Sequence, residues 1–120
     1  MITVLEPSQI SKAQNILVSY FAELAGDKLP FIYAAALIGH AQVWFVHKDT
    51  DLNSIFITVV SEGLEGKVVE LVYMAGRCNR ADLRAINDAL SQMKEHAGAD
   101  RIELKTKHHF GRAFRRFGWQ

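Results

Sequence analysis

The chain has 120 residues, 49% of them apolar and 22% charged, with eight Gly, two Pro, one Cys and a formal net charge of +1. That length is one domain with one substantial core, 1–120. The composition excludes a disordered chain, and the near-zero charge excludes a global field for nucleic acid or membrane. The lone Cys78 excludes an intramolecular disulfide and a multi-cysteine zinc site.

Met1 leads into Thr, Glu, Pro and Ser rather than a basic run with an apolar block, so no secretory leader is expected. The longest apolar run, Phe31 to Gly39, is far short of the ~20 residues of a membrane span. A soluble, cytoplasmic protein of a reducing compartment is expected.

Pro7 and Ser8 open a first helix, whose stripe is Ile10, Ala13, Leu17, Tyr20, Phe21 and Leu24, and Gly26 ends it. "PFIYAAALIGHA" is apolar almost all round, either a second, largely buried helix or an irregular apolar segment. "AQVWFVHK", "SIFITVVSE" and "KVVELVYMAG" are rich in residues that suit a pleated surface, and "DTDLN" and "GLEG" separate them as turns. Three strands so joined form an antiparallel meander.

In "NRADLRAINDALSQMKEHAG", Leu83, Ile86, Leu90, Met93 and Ala97 fall at steps of three and four, a clean amphipathic helix ended by Gly98. "RIELK" is a fourth strand with Ile102 and Leu104 on one face. In "FGRAFRRFGWQ", Phe110, Ala113, Phe114 and Phe117 make one face of a last helix, with Arg112, Arg115 and Arg116 on the other. The expected class is α+β or mixed α/β: a meander, then helix, strand, helix, with helices flanking the sheet.

Charge is unevenly placed along this order. From Arg101 to Gln120, six Lys/Arg stand against one acid, giving +5; the eight Lys/Arg and twelve acids before them give −4. The basic end is a solvated helix face or an anion site. Nucleic-acid binding through Lys105, Lys107, Arg112, Arg115 and Arg116 is a weaker option, because no reading motif accompanies them. His108 and His109 are adjacent and diverge on a helix, and His40, His47 and His96 are scattered, so no metal site is expected.

The element order, with the ending "AFRRFGW", resembles the GNAT acyl-CoA N-acyltransferases. Ala113, Phe114, Phe117, Gly118 and Trp119 match the way that family often closes its last helix. "VVELVYMAG" is similar to its central strand. The resemblance implies acetyl-CoA or another acyl-CoA as cofactor, held at Gly76, Arg77, Cys78, Asn79 and Arg80 by loop amides and the following helix N-terminus. It also implies Glu70 as general base for an amine.

Each residue has an alternative. Glu70 is a base or a solvent-facing strand position, and Arg77 and Arg80 are phosphate ligands or plain exposed cations. Cys78 is a small half-buried side chain before it is a nucleophile.

Three departures accompany the resemblance. "MAGRCNRADL" lacks the second glycine of the family's pyrophosphate loop. Phe114, which has no hydroxyl, stands where the family commonly has a tyrosine as general acid, and the sequence stops at Gln120 where the family normally adds two strands. They imply a reduced member with weak or absent catalysis. The alternative is a non-catalytic binding or assembly protein of the kind some tailed bacteriophages encode, meeting a partner or its own copy through an exposed sheet edge.

Overall fold

The structure, a computed structural model, describes residues 1–105. The expected last helix, with His108, His109, Phe114, Trp119 and the three closing arginines, lies outside them. In chain order the elements are β1 (Ile2–Val4), α1 (Pro7–Ile10), α2 (Gln14–Ala25), α3 (Leu29–Leu37), β2 (Ala41–Lys48), β3 (Asp51–Gly63), β4 (Gly66–Gly76), α4 (Arg80–Ala97) and β5 (Arg101–Leu104). The five strands lie side by side in sequence order. All neighbours are antiparallel except β4 and β5, which run parallel because α4 carries the chain back across the sheet.

The fold class is the expected α+β layer, with four differences of detail. β1 was not foreseen: three residues are too few to show alternation, and the strand is held by bonds such as His47 N–H to the Met1 carbonyl, 2.8 Å. The first helix is two, with a tight 3₁₀ turn at Ser11–Ala13 between them. Its stripe is nonetheless the predicted one, with Ile10, Ala13, Leu17 and Phe21 all buried. The turn in "DTDLN" is only Asp49 and Thr50, because Asp51 and Leu52 already pair with Lys48 and His47 and Asp49 adopts the left-handed conformation at φ 57. The apolar segment is indeed helical as α3, but it is not largely buried: Phe31 is 76% exposed.

Alternation along β2 and β3 sends Val43, Phe45, Ile55 and Ile57 to the face under α1–α3, and Val46, Phe56 and Trp44 to the face under α4. Both faces are therefore buried, which is why these strands look continuously apolar in sequence. On the α4 side, Ile86 and Leu90 are completely buried against Phe56, Val69, Leu71 and Met74. Gly98 ends α4 in the left-handed conformation, φ 67.

Two bulges interrupt the ladders. Between β2 and β3 the register skips Asn53, since Val46 pairs with Ser54 but His47 with Leu52. Between β3 and β4 it skips Val72, since Ile57 pairs with Tyr73 but Thr58 with Leu71. A bulge leaves one residue outside the ladder and bends the strand.

Gly76 ends β4 at φ 107, where a Cβ would lie 2.7 Å from the Ser54 Cα and closer still to the Asn53 carbonyl oxygen. Both the conformation and the contact demand glycine. Gly76→Ala is expected to destabilise the protein by about 1–3 kcal/mol in urea denaturation. Gly63→Ala, which meets nothing within 4 Å, is expected to stay within about 0.5 kcal/mol.

Candidate functional site: the opening between β4 and β5

β4 pairs with β5 only from Val68 to Leu71, opposite Arg101 to Leu104. The last bond of this ladder is Lys105 N–H to the Leu71 carbonyl, 2.8 Å. β4 continues to Gly76, so among the described residues Val72–Gly76 face no strand on that side. The β4 bulge falls on Val72, the first residue beyond the pairing. The register with β3 and the register with β5 thus both miss Val72, and the sheet opens there. Backbone N–H and C=O groups on such an edge bond an extended polar ligand as they would bond a strand.

Glu70 lies two residues before this point. Val69 and Leu71 both pack under α4, so Glu70 projects from the opposite face, half-buried. It is neither in the core nor in free solvent: the Ser61 hydroxyl donates to its Oε1 at 3.0 Å. Its register partner on β5 is Glu103. Two carboxylates side by side repel, and the local cations go to one of them. Arg101 Nε sits 2.8 Å from Glu103 Oε1 and Lys105 Nζ 3.2 Å from Glu103 Oε2. Arg101 first, then Lys105, hold the Glu103 carboxyl below the usual carboxylate range. Among the described residues no cation pairs with Glu70.

The residues predicted around a pyrophosphate, Gly76 to Arg80, form the loop from β4 into α4, and the structure gives each a distinct position. The Arg77 amide donates to the Asn53 carbonyl at 3.0 Å, one residue beyond the Ser54–Gly76 pair, so β3 anchors the loop. Cys78 Sγ lies 3.2 Å from the hydroxyl of Ser54, which is fully buried. Asn79 is the N-cap of α4: its Oδ1 accepts from the Asp82 amide at 2.8 Å, and its own amide donates to Asp82 Oδ2 at 3.1 Å. The first-turn amides left over are those of Arg80 and Ala81. The guanidinium groups of Arg77 and Arg80 belong to exposed residues and pair with no described acid. Asp82 and Ser61 were not singled out in the sequence; Asp82 carries the one usable signal, an Asn followed three residues later by an acid.

Burial pushes the Cys78 thiol above its ordinary pKa, the Ser54 hydrogen bond opposes that, and the Asp82 carboxylate adds to the rise. The thiol is therefore protonated at neutral pH, and its environment is that of a packing residue.

A groove of about 860 Å³ lies at the other side of the sheet, between the β1–β2 edge and α4. Its floor is satisfied internally: Trp44 Nε1–H donates to Thr58 Oγ1, and Thr58 Oγ1–H to Gln42 Oε1, both at 2.9 Å. No orphaned polar group there calls for a ligand, in contrast to the open stretch of β4.

No family model matches the sequence, and no curated protein matches it. Solved structures do resemble it. A probable acetyltransferase superposes with a TM-score of 0.74 at 14% identity, covering 100% of this chain and 89% of that one. The ribosomal-protein-alanine N-acetyltransferase of Brucella melitensis biovar Abortus 2308 gives 0.72 at 13% identity, covering 100% and 91%. A predicted acetyltransferase with acetyl-CoA from Clostridium acetobutylicum gives 0.72 at 11%, covering 100% and 89%. The chain has the GNAT acetyltransferase fold. At these identities the likeness concerns the fold alone, and the chemistry rests on the residues just described.

The raised thiol pKa has a direct consequence. Alkylation of Cys78 by iodoacetamide at pH 8 is expected to run well below the rate of a cysteine in an unfolded peptide. The rate should climb only at a pH above the ordinary thiol value of about 8.5. Native-state alkylation as fast as in urea would show the thiol to be exposed, and a faster rate would show it to be activated.

Proposed function

We propose that this chain is a GNAT superfamily member that binds an acyl-CoA along the open edge of β4 and passes the acyl group to an amine. One observation carries the reading: the β4 bulge at Val72 coincides with the end of the β4–β5 pairing. A pantetheine arm carries two amides and is strand-like, so backbone groups beyond Leu71 are suited to bond it. Arg77 and Arg80, with the amides of Arg80 and Ala81, would hold the pyrophosphate at the start of α4. Gly76 lets the backbone approach Asn53 and Ser54 closely, the Arg77 amide bonds the Asn53 carbonyl, and Cys78 and Asn79 fix the loop to Ser54 and Asp82.

When bound, the coenzyme supplies an acyl group activated as a thioester. The chain's own part is to orient the acceptor and accept its proton. Glu70 takes the proton that an ammonium loses before it becomes a nucleophile. Ser61 fixes one carboxylate oxygen, and Oε2 takes no hydrogen bond from a described residue, so it is the atom that receives the proton. Arg101 and Lys105, engaged with Glu103, leave Glu70 unneutralised for this role.

A second reading, a non-catalytic binding or assembly protein on the same fold, is favoured by the cap of α4. Asp82 already places a carboxylate in the first turn and takes the Asn79 amide, which weakens the pull of that helix end on an anion.

Acetyl-CoA titration separates the two. At about a hundred times its Kd the coenzyme should stabilise the fold by ~2.7 kcal/mol in thermal unfolding. Arg80→Ala should weaken binding. Glu70→Gln should keep binding and lower acyl transfer to amines by about 10²–10⁴-fold. No thermal shift at millimolar acetyl-CoA would overturn the first reading and leave the second.

A further inference from the structure

Leu83, Ile86, Leu90 and Met93 pack α4 onto the sheet. Asn87 lies among them and does not fit the pattern. Its Oδ1 is buried, and among the described residues nothing donates a hydrogen bond to it. Such an acceptor has lost its water without gaining a partner, and native structures hold few of them. Asn is also a poor helix former in mid-helix, so neither packing nor propensity accounts for the residue.

The helix geometry gives the direction of this side chain. Ala85, Ala89, Gln92 and His96 line the groove toward β1 and β2, so they mark one flank of α4. Successive residues turn by about 100° around the axis, which puts Asn87 about 100° from Ile86 on the side away from Ala85. Asn87 therefore lies on the other flank, toward β4 and β5.

Its depth follows from the lengths of the two elements. α4 starts just past Gly76 and ends before Arg101, which pairs with Val68, so it runs back along β4. Its 18 residues rise about 27 Å, and the strand from Gly76 back to Val68 spans about 26 Å. Asn87 lies about 10 Å along α4 from Arg80, and Val72 about 13 Å along β4 from Gly76. The carboxamide is thus level with Val72 and Tyr73, where β5 has already left the β4 edge. A strand edge with no described partner and a buried acceptor with no described donor meet at one level. β4 bonds a ligand from one side only. The amides of an extended ligand that turn away from β4 need partners from elsewhere. An Asn carboxamide both accepts and donates, so it suits either half of an amide.

We propose that Asn87 is a ligand-binding residue that bonds the pantetheine amide turned away from β4, so that the arm is held between strand and helix. Oδ1 accepts the arm's N–H, the donor that the described residues do not supply. The inference rests on the acyl-CoA reading above and adds to it a contact with the arm rather than with the pyrophosphate. It makes the opening selective for an amide-bearing ligand over a nucleotide without an arm.

The test uses the full chain with Asn87→Leu, which keeps the size of the side chain and removes both polar atoms. Calorimetric titration gives the Kd for acetyl-CoA and for ADP, which carries a pyrophosphate but no arm. The variant should bind acetyl-CoA about tenfold or more weakly and ADP within about twofold of wild type. Arg80→Ala should weaken both. Without ligand, Asn87→Leu should melt at a higher temperature than wild type, since the orphaned acceptor is gone. A variant that melts lower or fails to fold, or that loses ADP binding as much as acetyl-CoA binding, would overturn the proposal. Wild-type affinity for acetyl-CoA in the variant would overturn this contact alone, whereas a wild type that binds neither ligand would overturn the acyl-CoA reading and the contact with it.

Discussion

Between Leu71 and Tyr73, β4 carries one residue more than β3 can pair, and the geometry near the site follows from where that residue falls. Two ladders share β4. Had the extra residue sat further back, β5 would lie alongside a bent stretch; further on, the two ladders would end at different depths. Placed at Val72, the bend and the loss of the β5 partner coincide, and a stretch of strand is left with one side bonded and the other, among the described residues, open. Backbone polar groups in that condition need partners. The opening is thus a consequence of register, produced by backbone count rather than by any one side chain.

The second bulge acts on the same region from the neighbouring strand. Asn53, though outside the β2 register, keeps step with β4: its carbonyl accepts from the Arg77 amide one residue beyond the Ser54–Gly76 pair, and the backbone there closes so tightly on Gly76 that no Cβ is tolerated. Ser54 then reaches Cys78, and the reciprocal Asn79–Asp82 cap fixes where α4 begins. Each bond is worth only about 0.5–1.5 kcal/mol, yet together they define one path from β4 into α4. A loop held this way keeps Arg77 and Arg80 at one end of the open edge without using their charged ends for structure. The cap has an electrostatic side as well, because the Asp82 carboxylate offsets the positive end of the α4 dipole.

Most of this architecture was legible in the residues, and the failures have physical causes. The α4 stripe, the meander and the crossover to β5 follow from periodicity and from Gly98, and all appear as expected. β1 was invisible because three residues carry no period, and its strand character comes from β2 rather than from itself. α3 was misjudged because composition tells how apolar a helix is, not how many neighbours it has. The β4 bulge left a trace that the composition hid: the residues under α4 are Val69, Leu71 and then Met74, a step of two followed by a step of three. Since Val72, Tyr73 and Ala75 are also apolar or aromatic, the slip does not appear as a break in polarity. Glu70 stands out in sequence as the one acid within that strand, but its bond from Ser61 depends on a cross-strand register that no local pattern encodes.

The pairing of Glu70 with Glu103 sets two like charges side by side in the sheet. Same-face carboxylates in register are unfavourable by the same fractions of a kcal/mol that opposite charges gain. The sequence answers with Arg101 and Lys105, which flank Glu103 along β5 and so lie on the same face as both acids. Because they bracket Glu103 rather than Glu70, the compensation among the described residues is lopsided: one carboxylate becomes part of an ion-paired cluster, and the other takes a single neutral donor, Ser61. The alternation of β5 produces that asymmetry, because it sets Arg101, Glu103 and Lys105 in a row centred on Glu103.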